Sequence, residues 1–416
     1  MGMDNEKICM SERKYLFTER AHLMCPNMGF AIALTVKSPY DESRIKETIE
    51  VLSEANPFLK SLIGYEKESN AYYYDVTDSS KVELNLIGDE ISGIEAPEII
   101  SEYDRIMSRD FDLFNEGMLK VSAWKTGDDT VFLLALHHLL ADGRGALMLS
   151  EELASYYKEG IKPAYVEEKL IASAEDLPKN SEMAFINRLF TKKANKDWKK
   201  ENRLLSYEEY HKLADEFLKT DRIKHTLSEI APEELSTVMG NCKKRGVTVN
   251  DYLMAKFMIE ENAKSAVVAS DLRDKLTCIN EGSLGNFATA FSITIKKKSD
   301  DIWKVSKEVH DAILKKINTP SELCLVLRCY AMLEPGLLDA AFVSAKKMYD
   351  SKAGEFIGKY YFHFDNPHGY SITNLGKAKC DAIGDAFFIP PASPAGIKIL
   401  GVLTMNGRLR ICSSER

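Results

Sequence analysis

The 416-residue sequence lacks a long apolar run, a paired-cysteine motif and an excess of basic residues. Its longest apolar run, residues 131–136, is far shorter than the roughly 18 residues that a transmembrane helix needs. The eight cysteines include no C-x-x-C pair, which indicates neither a disulfide framework nor a zinc knuckle. With 55 lysines and arginines against 63 aspartates and glutamates, the net charge of −8 argues against a nucleic-acid partner.

Signatures of common cofactor sites are missing as well. The sequence contains no phosphate loop (G-x-x-x-x-G-K-[ST]), hydrolase elbow (G-x-S-x-G) or dinucleotide fingerprint (G-x-G-x-x-G), so we expect no bound ATP or nicotinamide. The polar N-terminal residues show no apolar stretch with a small-residue cleavage site. We therefore expect a cytoplasmic protein with no membrane span.

The remaining composition is that of a globular chain, with 45% hydrophobic and 28% charged residues. At about 150 residues per domain, the length predicts two or three domains. Helix-like and strand-like segments alternate in both halves, which predicts a two-lobed α/β protein. A charged, helix-prone stretch separates the halves. We therefore expect an N-terminal lobe over residues 1–180, a helical crossover over 181–221 and a C-terminal lobe over 222–416.

Residues 131–145 (VFLLALHHLLADGRG) carry the clearest chemical signal. They begin as the second strand of a predicted hairpin, and neighbouring side chains of a strand point to opposite faces, so His137 and His138 face opposite sides. Apolar surroundings favour the neutral imidazole that a general base needs. One histidine at a strand end is typically structural. Two histidines followed by Asp142 and Gly143 in a turn, just before a predicted helix, favour a catalytic loop.

A metal site is the weaker interpretation of these histidines. His137 and His138 cannot both reach one ion unless the strand bulges. Residues 363–368 (HFDNPH) hold two further histidines, but their Asn-Pro pair favours a loop. We therefore expect no metal ion.

The segment HHLLADG, residues 137–143, resembles the HHxxxDG motif of the chloramphenicol-acetyltransferase-like acyltransferase superfamily. That superfamily includes the condensation domains of nonribosomal peptide synthetases and the alcohol acetyltransferases. The DFGWG motif of its plant branch is absent here. Other segments resemble family motifs in the family's order: NPFLK (56–60), GVTVNDYL (246–253), SDLR (270–273), LGN (284–286) and TNLG (373–376).

The resemblance implies a fold and a set of roles. The fold would be two chloramphenicol-acetyltransferase-like lobes, each a mixed sheet flanked by helices, arranged as a V around a central tunnel. His138 would be the general base, and His137 would support its strand. Asp142 would pair with Arg273 of the second lobe and hold the loop. Gly143 would lie beside the reacting carbonyl, where a side chain would block the tunnel.

Two further residues are candidates for the oxyanion site. Thr373 and Asn374 lie where the family's SNLG motif ends near the catalytic centre, so a hydroxyl or amide there could stabilise an oxyanion. An ordinary turn is an equally good interpretation of this segment.

The implied function is acyl transfer from a thioester to a small-molecule alcohol or amine. The sequence shows no adenylation or carrier domain, so the co-substrate would be acyl-CoA or the acyl-phosphopantetheine of a separate carrier protein. We expect a monomer. The alternative is a non-catalytic protein of this fold that binds a carrier protein or an acyl ligand, although the intact His138, Asp142 and Gly143 favour the enzyme.

Overall fold

Three β-sheets and their flanking helices form the described part of the chain, which is residues 13–296, 299–362 and 369–416 of a computed structural model. The strands are β1 Lys14–Tyr15, β2 Gly29–Val36, β3 Ser61–Glu66, β4 Ala71–Val76, β5 Glu83–Glu90, β6 Leu119–Thr126, β7 Asp129–His137, β8 Lys224–Ile230, β9 Ser265–Asp271, β10 Ala288–Thr294, β11 Tyr370–Lys377, β12 Ile383–Ile389, β13 Lys398–Met405 and β14 Arg408–Glu415. The helices are α1 Arg20–Leu23, α2 Glu42–Ala55, α3 Pro97–Met107, α4 Gly143–Glu159, α5 Phe185–Glu201, α6 Tyr207–Thr220, α7 Pro232–Arg245, α8 Val249–Glu260, α9 Ile302–Ile317, α10 Pro320–Leu323, α11 Leu325–Met332, α12 Pro335–Ala345 and α13 Lys352–Tyr361.

The sheet of the first lobe has the strand order β12-β2-β7-β6-β5. The predicted hairpin is present: β6 and β7 pair antiparallel from Thr126 opposite Asp129 to Leu119 opposite Leu136. Gly127 makes the turn with a positive φ of 57°, a conformation that glycine adopts without strain. Because β7 lies in the middle of the sheet and is buried along nearly its whole length, its sequence is a continuous apolar run that ends at the histidines.

The helix predicted after the hairpin is α4. Asp142 caps its N-terminus by accepting a hydrogen bond from the Gly145 N–H, and Gly160 ends it in the left-handed conformation. Its apolar positions are buried, and the helix packs against β2 and α2. The strand and the helix together hold the histidine loop at a fixed place beside the second lobe.

The sheet of the second lobe has the order β10-β9-β11-β13-β14-β8. It is mixed, because β11 pairs parallel with both β9 and β13 while the remaining pairs are antiparallel. Helices α8 to α11 pack beside it, and its buried residues form a second core. The third sheet, β1-β4-β3, is small.

One strand crosses from the second half of the sequence into the first lobe. β12 pairs antiparallel with β2, from Ile389 opposite Ala31 to Ile383 opposite Val36. The sequence-based boundaries had placed all of residues 222–416 in the C-terminal lobe. By pairing with β2, β12 occupies the backbone hydrogen-bonding groups along the edge of that strand. The pairing also buries Phe387 and Phe388.

Every helix of the described ranges is too short or too polar to cross a lipid bilayer. These ranges contain no group of three His, Cys, Asp or Glu side chains placed to share a metal ion. The segment 363–368, considered above as a metal-binding alternative, lies outside the described residues.

Candidate active site

The histidine loop is held by backbone contacts to both lobes. The His138 N–H donates to the Met28 carbonyl, 3.0 Å away, which extends the pairing of β7 with the chain before β2. The Asp142 N–H donates to the Gly285 carbonyl of the second lobe at 3.2 Å. The loop is therefore part of the junction between the lobes.

His138 is bound at two points by Asn286. The Asn286 Nδ2 group donates to the His138 carbonyl, which turns Oδ1 of the same amide toward the ring, 2.6 Å from Nδ1. An amide oxygen can only accept, so Nδ1 carries the proton and Nε2 keeps its lone pair. Burial lowers the pKa of His138, while the hydrogen bond with Asn286 and the charge of Asp142 oppose that shift. The ring is therefore neutral at pH 7 in the tautomer of a base at Nε2.

Two rings pack on His138. The imidazole of His22, in α1, is stacked on it with ring centroids 4.6 Å apart and an angle of 17°. Phe30 of β2 meets it edge-on at 5.2 Å. These contacts restrict the rotation of the His138 ring.

His137 lies in a different environment, as the alternation of strand side chains predicts. Its Nδ1 accepts a hydrogen bond from the Leu139 N–H at 3.2 Å, and its ring packs near Phe111. Burial lowers the pKa of His137 to about 3, so it is neutral. These contacts tie the end of β7 to the turn that follows.

Asp142 and Arg273 form a bidentate ion pair between the lobes. Arg273 Nη1 lies 2.9 Å from Oδ2 of Asp142, and Nη2 lies 3.1 Å from Oδ1. The same carboxylate accepts from the backbone N–H groups of Gly145 and Phe287, each at 2.9 Å. Since its oxygens are fully engaged and Asp142 is only 1% exposed, the carboxylate holds the loop and is not free to move a proton.

Two glycines allow the lobes to approach at this loop. A Cβ on Gly143 would lie 2.5 Å from Cδ2 of Leu375 in β11, and one on Gly145 would lie 2.1 Å from the Leu284 carbonyl oxygen. The first contact is with the end of a flexible side chain and the second with backbone. Gly143 thus packs against the second lobe.

The two oxyanion candidates, Thr373 and Asn374, lie in β11. The Asn374 side chain is exposed, donates to Asn250 Oδ1 at 3.3 Å and accepts from the Gly376 N–H at 2.9 Å. These contacts fit the interpretation of the segment as a turn, and the oxyanion role of both residues stays a prediction. Thr373 is half-buried in β11 opposite Gly401.

Two residues at the site were missed by the sequence reasoning. Asn286 was noted only as part of an LGN motif, without a role. His22 gave no signal, because an isolated histidine in a short segment carries no spacing pattern. Both are brought to His138 by the tertiary fold.

A cavity lined by His138 and a larger cavity next to it lie between elements of the two lobes. The smaller, of about 150 Å³, is lined by His138, His22 and Asn286 together with residues of β10 and α11. The larger, of about 590 Å³, is lined by His22 and by residues of β10, α11, α12 and α13. His22, Ala290, Val326 and Tyr330 line both, so the larger cavity opens beside the catalytic candidate.

Comparison with known proteins identifies the family. A model of the Condensation domain family matches residues 27–260 of this chain. Surfactin synthase subunit 2 of Bacillus subtilis (strain 168) is 24% identical over 226 residues, which is 53% of this chain and 5% of that protein. Surfactin synthase subunit 1 of the same organism is 25% identical over 129 residues, 31% of this chain and 4% of that protein. The chain thus spans only a small part of these curated relatives.

Solved structures show the same fold. The epimerization domain from the third module of tyrocidine synthetase B has a TM-score of 0.58 at 14% identity, with 97% of this chain and 92% of that chain covered. The first condensation domain of the calcium-dependent antibiotic synthetase, in complex with a substrate analogue, gives 0.58 at 12% identity, with 98% and 92% covered. The predicted fold class, with two chloramphenicol-acetyltransferase-like lobes of mixed α/β structure, is confirmed.

Proposed function

The chain belongs to the condensation domain family, whose members transfer acyl or peptidyl groups, and from this premise we propose that it is an acyltransferase with His138 as general base. The donor is a thioester, either acyl-CoA or an acyl group on the phosphopantetheine of a carrier protein. The acceptor is a small-molecule alcohol or amine.

One observation carries this proposal: Asn286 forms two hydrogen bonds with His138. These bonds leave a neutral imidazole with its lone pair at Nε2, next to a cavity between the lobes. A general base needs this protonation state and access to substrate, and positioned proton transfer contributes about 10² to 10⁴ in rate.

The reaction follows from these groups. Nε2 of His138 takes the proton of the acceptor hydroxyl or amine as that atom attacks the thioester carbonyl carbon. The carbon–sulfur bond of the resulting tetrahedral intermediate then breaks, and the imidazolium gives the proton to the departing thiolate, which leaves as the free thiol. Asp142 and Arg273 keep the loop in place and do not touch the reacting atoms.

The first experiment identifies the donor. Carrier-bound thioesters are tested before acyl-CoAs, because condensation domains work with carrier-bound substrates. The purified protein is incubated with acyl-CoAs of several lengths, or with the same acyl groups on a carrier protein, and with a panel of alcohols and amines. Release of free thiol and the mass of the product are measured. We expect product with at least one pair.

The control variants separate catalysis from background. His138→Ala should lose about 10² to 10⁴ of the rate, whereas His211→Ala, which removes a histidine of α6 paired with Asp110, should keep it. Binding of a thioester with no transfer to any acceptor, in wild type and variant alike, would contradict the enzyme and indicate the non-catalytic binding protein.

A further inference from the structure

The larger cavity is an aromatic chamber that opens beside His138. Its volume of about 590 Å³ lies within the range of small-molecule sites. Six phenylalanine and tyrosine rings line it: Phe291, Tyr330, Phe342, Tyr360, Tyr361 and Phe362. Lys316 and Glu322 also line the cavity, but they pair with each other at 2.9 Å, so the chamber mainly offers aromatic and apolar surface to a chain or ring.

His22 lies at the junction between this chamber and His138. It belongs to α1, and the neighbouring Arg20 anchors that short helix to α12 of the second lobe. The Arg20 Nε and Nη2 atoms donate to the two oxygens of Asp339 at 2.8 and 2.6 Å, and both side chains are buried. The short helix that carries His22 is therefore anchored to the second lobe, and its ring stacks on His138.

The His22 ring has no hydrogen-bond partner among the described residues, although its neighbours do. His137 bonds with the Leu139 N–H, and His138 bonds with Asn286. Burial lowers the pKa of His22 well below its ordinary value, so the ring is neutral, with one N–H donor and one lone pair. The side chain is half-buried, and a ring that faces two cavities without a protein partner is suited to a ligand.

We propose that His22 binds substrate: its imidazole forms a hydrogen bond with a hydroxyl or amide of a group that extends from His138 into the aromatic chamber. The ring centroids of His22 and His138 are 4.6 Å apart, so the polar group bound by His22 lies within about three bonds of the atom that reacts at His138. The substrate class is an apolar chain or ring with a hydroxyl or amide close to its reacting end. This inference rests on the proposed acyl transfer, and the polar group can belong to the acyl donor or to the acceptor.

A purely structural role for His22 is the competing explanation. The ring stacks on His138, so a variant could lose rate only because the base is displaced. Two replacements separate the explanations. His22→Phe keeps an aromatic ring but cannot form hydrogen bonds, whereas His22→Gln keeps a donor and an acceptor but cannot stack in the same way.

The experiment compares matched substrates that differ by one hydroxyl. One arm uses octanoyl and 3-hydroxyoctanoyl thioesters with a common acceptor, and the other uses octan-1-ol and octane-1,3-diol with a common donor. In one arm we expect wild-type kcat/KM to favour the hydroxylated member by about 5-fold, the worth of one neutral hydrogen bond. The arm that shows the preference identifies the source of the polar group.

The variants should change the ratio in opposite ways. His22→Phe should bring the ratio to about 1, and His22→Gln should retain part of it. His211→Phe, a histidine that lines neither cavity, should keep the wild-type ratio. Equal rates for both members in wild type, or a preference that survives His22→Phe, would overturn the proposal. A uniform loss of rate with an unchanged ratio would also overturn it, in favour of the structural role.

Binding supplies a readout that does not depend on turnover. Thioether analogues of the octanoyl and 3-hydroxyoctanoyl donors, and the two acceptor alcohols, are titrated into wild type and His22→Phe by calorimetry. A hydroxyl preference in Kd that His22→Phe abolishes supports the proposal even when no transfer occurs, in which case the proposed acyltransferase function alone has failed. Equal Kd values for each pair in wild type would overturn the role of His22.

Discussion

Asn286, 148 residues further along the chain, binds His138 through both atoms of its side-chain amide: Nδ2 donates to the His138 carbonyl and Oδ1 accepts from Nδ1 of the ring. The contact joins the two lobes at the catalytic candidate. It also fixes which ring nitrogen carries the proton. The interface between the lobes therefore determines the chemistry of the site.

Replacing Asn286 tests this relationship. Asn286→Leu leaves the His138 tautomer unspecified, and we expect kcat/KM to fall by about 10²-fold with the fold intact. Since the Asn286 hydrogen bond raises the pKa of His138 against the effect of burial, its loss should lower that pKa further and move the acid limb of the kcat/KM profile to lower pH. Asn286→Asp should move the limb to higher pH, because a carboxylate favours the imidazolium. If the acid limb lay at the wild-type pH in both variants, Asn286 would have no influence on the pKa of His138.

The pair of Asp142 and Arg273 should behave as a unit in unfolding. Arg273→Gln leaves the buried Asp142 carboxylate without its ion-pair partner, at a cost of about 3 kcal/mol in unfolding free energy. Asp142→Asn should cost less, because Arg273 keeps its contact with Asp271 at 3.2 Å. The double variant should be no less stable than the worse single variant, because neither charge then remains. Urea unfolding of the four proteins measures the coupling. Additive losses would mean that the two residues act independently.

The two glycines of the loop should differ in their tolerance of alanine. Gly145→Ala places a Cβ against the Leu284 backbone, so we expect a loss of about 2 kcal/mol or more. Gly143→Ala meets only the end of the Leu375 side chain, and the milder effect should be relieved by Leu375→Ala. Thermal melts of the single and double variants check this order. If Leu375→Ala also rescued Gly145→Ala, the backbone contact would not be the cause.

Glu19 should make the free energy of unfolding decrease as the pH rises. It is fully buried, Oε1 has no hydrogen-bond partner, and burial raises its pKa from 4.5 to about 7. The folded state therefore binds this proton more tightly than the unfolded state, and the stabilisation present below pH 4.5 is lost as the pH rises through 7. Glu19→Gln lacks this titration, so its stability relative to wild type should increase from pH 5 to pH 8, by about 3 kcal/mol at most. Glu54→Gln, on an exposed position of α2, is the matched control for the substitution itself.

Local patterns made much of the fold predictable. The apolar run of β7, the turn at Gly127 and the helix that ends at Gly160 all follow from neighbouring residues. The crossing of β12 into the first lobe could not be predicted in this way. An apolar strand carries no information about which of two sheets it joins.

The same contrast holds for the site. His137, His138 and Asp142 lie in one motif, and the arginine expected opposite Asp142 lies there in the structure. His22 and Asn286 act through contacts between distant segments, so no spacing in the sequence indicates them. Asn374 shows the opposite case: a motif position near the site whose side chain stabilises a turn.

The rate of thiol release by His138→Ala, measured with the best donor and acceptor pair, tests the central claim most directly. For His138→Ala we expect a loss of about 10² to 10⁴ in kcat/KM and an unchanged melting profile. His137→Ala, in contrast, should act mainly by lowering the stability of the fold. A folded His138→Ala protein that transfers the acyl group at the wild-type rate would contradict the assignment of His138 as general base.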